Sequence, residues 1–241
     1  MRQKLFLITV LIIGFNWPLF SQFTSVNAFL DYSYSSSKRL EVTNADAVGG
    51  MVKLKFKIFD ELFLTLNSGY KLYSLNEPDV LNNWDWEFWT DRYYNKIVSD
   101  LNADPNLSVL IQAIQKMDLI PLYLNAEYAF EVMDKFTIIP TAGGGVYFYS
   151  RRMFAEETWT KKFPEVDYSF TYTFRNFAPN KKGNLFFVNG GLDVEYKIFD
   201  AFSLIAGGQY FYVLSSEGKS GYDQFPLRNE ISFKLGLGIN Y

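Results

Sequence analysis

Hydrophobic and polar positions alternate with a period of two along most of this chain. In the last stretch Ile231, Phe233, Leu235, Leu237, Ile239 and Tyr241 alternate with Ser232, Lys234, Gly236, Gly238 and Asn240, so one face is apolar and the other polar or small. Residues 185–199 repeat this, with Val188, Gly190, Leu192, Val194, Tyr196 and Ile198 opposed to Asn189, Gly191, Asp193, Glu195 and Lys197. So do 122–131, where Leu122, Leu124, Ala126, Tyr128 and Phe130 oppose Tyr123, Asn125, Glu127 and Glu131, and 51–58, where Val52, Leu54, Phe56 and Ile58 oppose Met51, Lys53, Lys55 and Lys57. Successive side chains of a strand point to opposite faces, so the pattern predicts strands with one greasy face. It does not say which way that face points. A soluble sandwich or a lipocalin-like binder would turn it inward, and a membrane barrel outward.

The connections separate these readings. Lys57-Ile58-Phe59-Asp60-Glu61-Leu62-Phe63, Glu131-Val132-Met133-Asp134-Lys135-Phe136 and Lys197-Ile198-Phe199-Asp200-Ala201-Phe202 are three versions of one tight, Asp-centred turn. The intervals between them hold two strands and one long connection each, so short turns alternate with long loops, an asymmetry typical of membrane barrels. On that basis strands are predicted near 26–35, 48–59, 62–75, 121–132, 136–151, 184–199, 202–214 and 230–241, with long connections at 36–47, 76–119, 152–183 and 215–229. The expected fold is all-β, an eight-stranded antiparallel transmembrane β-barrel. Its even strand count puts both ends on the side of the short turns. Glycines such as Gly143, Gly144, Gly145, Gly190, Gly191, Gly207 and Gly208 suit a sharply bent barrel wall.

Composition adds three constraints. Arg2 and Lys4, then an apolar run over 5–15, then Pro18 and the small Ser21 read as a secretory signal peptide spanning 1–21, cleaved to leave one barrel domain over 22–241. Removing those two cations leaves 21 basic residues against 26 acidic ones, a net charge near −5 that makes nucleic acid an improbable partner. The sequence has no cysteine, hence no disulfide, thiolate metal site or lipoprotein acylation.

With the apolar face on lipid, a lumen network is expected from Asp31, Lys53, Lys55, Lys57, Lys71, Glu127, Glu131, Asp193, Glu195, Lys197 and Lys234. An eight-stranded barrel is just wide enough for side chains to fill, and buried charges must pair, so a plug is favoured over a narrow ion path. In the second long connection Trp84, Trp86, Trp89, Tyr93 and Tyr94 form an aromatic cluster, either a cap on the barrel mouth or a surface that binds a glycan, lipid head group or protein. Leu107, Leu110, Ile111, Ile114 and Met117 follow Asp104-Pro105 at helical spacing, so that loop is predicted to be partly helical. Tyr147, Phe148, Tyr149, Tyr210, Phe211 and Tyr212 are expected to form the interfacial girdle. The carboxylate pairs Glu156-Glu157 and Asp85-x-Glu87 read as solvated loop acids, and no cofactor or metal site is expected.

Lys234-x-Gly236-x-x-Ile239-x-Tyr241 resembles the terminal-strand signal of small outer-membrane β-barrel proteins of the OmpX, OmpW and OmpA-transmembrane-domain type. The resemblance implies a Gram-negative outer-membrane location, lipid around the barrel, periplasmic short turns, external long loops, and a signal read by the barrel-assembly machinery. The barrel phospholipases, lipid A deacylases and omptin-type proteases depend on histidine, and this chain has none. The resemblance therefore implies a non-enzymatic protein with a structural or loop-mediated binding role, or, through the OmpW type, a conduit for small hydrophobic molecules.

Overall fold

A computed structural model describes residues 22–218 and 221–241; the expected signal peptide lies outside them. Ten strands form: β1 (Phe23–Tyr34), β2 (Asn44–Lys57), β3 (Leu62–Asn76), β4 (Leu107–Tyr128), β5 (Phe130–Met133), β6 (Phe136–Phe163), β7 (Tyr168–Phe177), β8 (Lys181–Phe199), β9 (Phe202–Val213) and β10 (Asn229–Asn240). Every pairing is antiparallel, and β1-β2-β3-β4-β6-β8-β9-β10 closes into a ring of eight because β10 pairs back onto β1 from Ser25↔Asn240 to Tyr34↔Ile231. Closure leaves the ring without a free edge. The three Asp-centred segments fall at the turns β2–β3, β5–β6 and β8–β9, all at one end of the barrel.

The two faces of the wall separate apolar from charged as a membrane barrel requires. Leu30, Val52, Leu124, Phe186, Leu192, Leu235 and Leu237 stand exposed on the outside, while Asp31, Lys53, Asn125, Asp193 and Lys234 are buried within. Glycines on the inner face let those side chains lie across the neighbouring strand. A Cβ on Gly145 would meet Leu122 O at 2.2 Å and the Tyr123 Cβ at 2.4 Å, and one on Gly207 would meet the Asp193 carboxylate at 2.1 Å.

Two regions expected as loops are built otherwise. The third long connection is a hairpin, because β6 runs for 28 residues and its outer half pairs with β7, which takes the place of β8 above the ring. Upper β4 flanks β6 on the other side, from Leu107↔Lys161 through Ala113↔Ala155. These three strands make a blade that stands on the barrel wall.

The second correction concerns residues 107–117, which belong to β4 and not to a helix. Helix does form earlier, as α1 (Val80–Asn83), α2 (Glu87–Asp91), a π-helical turn (Arg92–Ile97) and α3 (Val98–Ala103). It stops at Asp104, whose backbone is extended because the following Pro105 disfavours a helical residue before it. The helical spacing beyond Pro105 was a coincidence of an apolar strand. Leu107, Ile111 and Met117 share one face with Val109, while Leu110 and Ile114 point the other way.

Candidate functional site

From the turn end upward, the lumen is filled in three tiers. In the lowest, Lys53 Nζ lies 2.5 Å from Glu127 Oε1 and 2.8 Å from Asp193 Oδ2, and Lys234 Nζ is 2.9 Å from the same Asp193 oxygen. Two cations face two carboxylates, so the tier is neutral. Lys55 sits just below, 4.0 Å from Glu195 and 4.1 Å from the centre of the Phe63 ring.

The middle tier is unequal in charge. Lys71 Nζ is 2.9 Å from Asp31 Oδ1 and also pairs with Glu230, so two carboxylates share one ammonium. Three hydroxyls supply the remaining donors: Ser33 to Asp31 at 2.6 Å, Ser232 to Asp31, and Tyr147 to Glu230 at 3.1 Å. Above this the lumen is apolar. Tyr147 stacks on Phe187 with ring centres 4.1 Å apart, and Phe225 from the last loop packs over both Tyr147 and Tyr149. Met117, Leu119, Leu185, Val42 and Leu227 complete this plug.

At the mouth, Arg151 donates to Glu77 Oε2 and Gln115 Oε1, each at 2.8 Å, and to the Gln224 carbonyl at 2.9 Å. Its guanidinium carbon is 4.9 Å from the Trp84 ring centre, and Lys181 Nζ lies 4.8 Å from the same centre. Burial lowers the pKa of Lys181, and the neighbouring Arg151 lowers it further. Beyond the mouth, the helical segment lies on the inner face of the blade. Trp84, Trp86, Trp89 and Ile97 pack there against Met153, Ala155 and Trp159. Glu157, fully buried at their centre, accepts from Arg92 Nε and Nη2 at 3.0 Å, from Trp159 Nε1 at 2.8 Å and from Asn176 Nδ2 at 2.6 Å. The carboxylate accordingly raises the pKa of Arg92.

Of the expected lumen charges, Asp31, Lys53, Lys71, Glu127, Asp193 and Lys234 come together, with Lys55 and Glu195 beneath them. Lys57, Glu131 and Lys197 instead stand exposed at the turn end, where the wall has run out. Glu230 was missed, although it shares the inward face of Ser232 and Lys234. The tryptophans are packing residues and not an exposed aromatic surface; only Tyr93 and Tyr94 of that cluster reach solvent. Tyr147, Tyr149 and Phe211 belong to the plug, leaving Phe148, Tyr210 and Tyr212 on the outer wall. Glu157 is a buried anchor, and Glu156 pairs with Arg175 at 2.7 Å across the blade. Within the terminal signal, Lys234 works inside the lumen and Gly236 admits close contact with β1, where a Cβ would lie 2.1 Å from Ala28 O. Ile239 and Tyr241 face outward.

A closed strand ring, greasy outside and ion-paired inside, decides the class of the fold. It is a small β-barrel of the outer-membrane kind. Neither family models nor curated proteins give a match to the sequence. Solved structures similar to this barrel include the Neisserial surface protein A (12% identity, 90% of this chain and 97% of that one, TM-score 0.43). A major outer membrane protein from Thermus thermophilus (14%, 90% and 99%, 0.43) and OprG from Pseudomonas aeruginosa (10%, 91% and 96%, 0.42) are also similar. At these scores the likenesses are distant, and the barrel is defined by its own ring of strands.

Proposed function

We propose that this chain is a non-enzymatic barrel of the bacterial outer membrane whose role is performed at its loop end, as a surface structure that binds a ligand or partner there. One observation carries the reading: the lumen is closed by two tiers of paired charge and an aromatic plug, while the largest ordered additions, the blade and the helices packed on it, stand outside the barrel. Side chains spent on sealing an axis cannot line a path along it. A conduit for small hydrophobic molecules would require Phe225 and Tyr149 to withdraw from the mouth. Ile239 and Tyr241 face outward, Tyr241 beside Phe23, on the side from which the barrel-assembly machinery would read them, and removing Tyr241 should lower membrane assembly.

The test has two arms. Purified protein in planar bilayers should stay silent, and discrete conductance steps would overturn the sealed axis. Replacing residues 80–103 by a Gly-Ser linker should keep the heat-modifiable barrel band while cells displaying the variant lose adhesion to immobilised extracellular polymers. Undiminished adhesion would sink the loop-end role.

A further inference from the structure

A cleft of about 200 Å³ opens at the barrel mouth, lined by Glu77, Asn83, Trp84, Arg151, Lys181 and Gln224. Arg151 and Lys181 are register partners on β6 and β8, so both project to the same inner face. Neither is fully answered. Arg151 Nη1 and Nη2 have acceptors, but its buried Nε has no hydrogen-bond partner among the described residues. Among the described residues, the one carboxylate paired with Lys181 belongs to exposed Asp85 at 4.0 Å. Glu77, 2.8 Å from Arg151 Nη2, answers one face of that guanidinium and Glu41 stands on the rim, but Arg151 and Lys181 still lie against one indole and repel each other, and an anion placed between Arg151 Nε and Lys181 Nζ relieves that cost.

The rim is conformationally unusual. Leu40 and Glu41, both lining the cleft, have φ of 54° and 57°, and Asp85 has φ of 57°. Non-glycine residues in this region store strain that tends to gather at binding sites. Tyr149 lies two positions before the lining residue Arg151 and Phe225 directly after Gln224, and the two rings pack on each other with centres 5.1 Å apart as part of the plug.

We infer that this cleft binds a small organic anion of monosaccharide size, a hexuronate, with its carboxylate between Arg151 and Lys181 and its hydroxyls on Glu77, Asn83 and Gln224. The volume falls below the ~300–1,000 Å³ of clefts that take drug-sized ligands, which sets the size class. The mixture of acid and amide side chains around two cations sets the chemistry: the cations for the ligand carboxylate, the Glu77 carboxylate as an acceptor for hydroxyls, and the Asn83 and Gln224 amides as neutral donors and acceptors for them. The inference deepens the binding role proposed above. Its test is independent of adhesion, so failure of one leaves the other standing.

The full chain in detergent micelles is titrated with sodium glucuronate by calorimetry, with glucose and sodium sulfate as comparators. Saturable binding of glucuronate, none of glucose and weaker binding of sulfate are expected. Lys181→Gln, at a partly exposed position, should weaken glucuronate by about tenfold, with the heat-modifiable band showing that the barrel is intact. No saturable heat with glucuronate overturns the inference, as does an unchanged affinity in Lys181→Gln. Equal binding of glucose removes the role of the carboxylate, and sulfate binding as tight as glucuronate removes the sugar-sized occupant.

Discussion

Lys71 sits between two carboxylates with no exposed surface, and its removal shows what a buried ion cluster costs when one member is lost. Lys71→Met leaves Asp31 and Glu230 facing each other unpaired and should destabilise the barrel by on the order of 3–5 kcal/mol. The urea midpoint of the folded gel band measures this. Adding Asp31→Asn and Glu230→Gln should restore most of the loss, and a single variant as stable as the parent would refute the cluster's role. The inward charges were legible in the sequence because parity along a strand is strict: once Lys234 is inward, Ser232 and Glu230 are inward too. Aromatics were not legible by type alone. Tyr147 and Phe148 are adjacent and chemically similar, yet one fills the plug and the other faces lipid, which only the register decides.

At the scale of elements, the helical segment is fastened to the blade through Glu157. Glu157→Leu strands the Arg92 guanidinium, the Trp159 indole and the Asn176 amide, so trypsin should cut at Arg92 and Lys96 while the barrel stays folded; an uncut segment would show that tryptophan packing alone holds it. At the start of β4, the hydrogen bond from Lys161 and then the Asn106 amide lower the pKa of Asp104. The ionised form is therefore favoured in the fold, and the contact persists above the ordinary carboxylate pKa of about 4 and is lost as pH falls through the lowered value. Protection of the Asn106 amide from exchange, followed from pH 6 to pH 2, should disappear at lower pH than a free carboxylate titrates, and Asp104→Asn should abolish the transition. The strands of the ring were predictable from alternation and the Asp turns. The blade was legible in part: Tyr168, Phe170, Tyr172 and Phe174 alternate with Ser169, Thr171, Thr173 and Arg175, but eight ring strands are complete without them, so 152–183 reads as a connection. Residues 107–117 misled because they are apolar enough on both faces to satisfy a helical period.

For the whole molecule, the tiers of the lumen act in series. Phe225→Ala should lower stability by about 3–5 kcal/mol and still give no conductance in planar bilayers, since the Lys71 and Lys53 tiers remain shut beneath it; stepwise currents in this variant would mean that the aromatic plug alone seals the barrel. The blade has a different consequence. From Tyr149 to Phe163, β6 continues beyond the outer aromatics for roughly 46 Å at about 3.3 Å per residue, and at a barrel-like tilt this lifts its tip by on the order of 33–38 Å. On the surface role proposed above, a partner as large as a cell or a polymer coat would meet exposed Tyr168 at that height first, with Phe170 and Tyr172 below it, and would be held off the membrane, whereas small solutes would diffuse down beside the blade to Arg151. On that role, elevation alone would sort visitors by size.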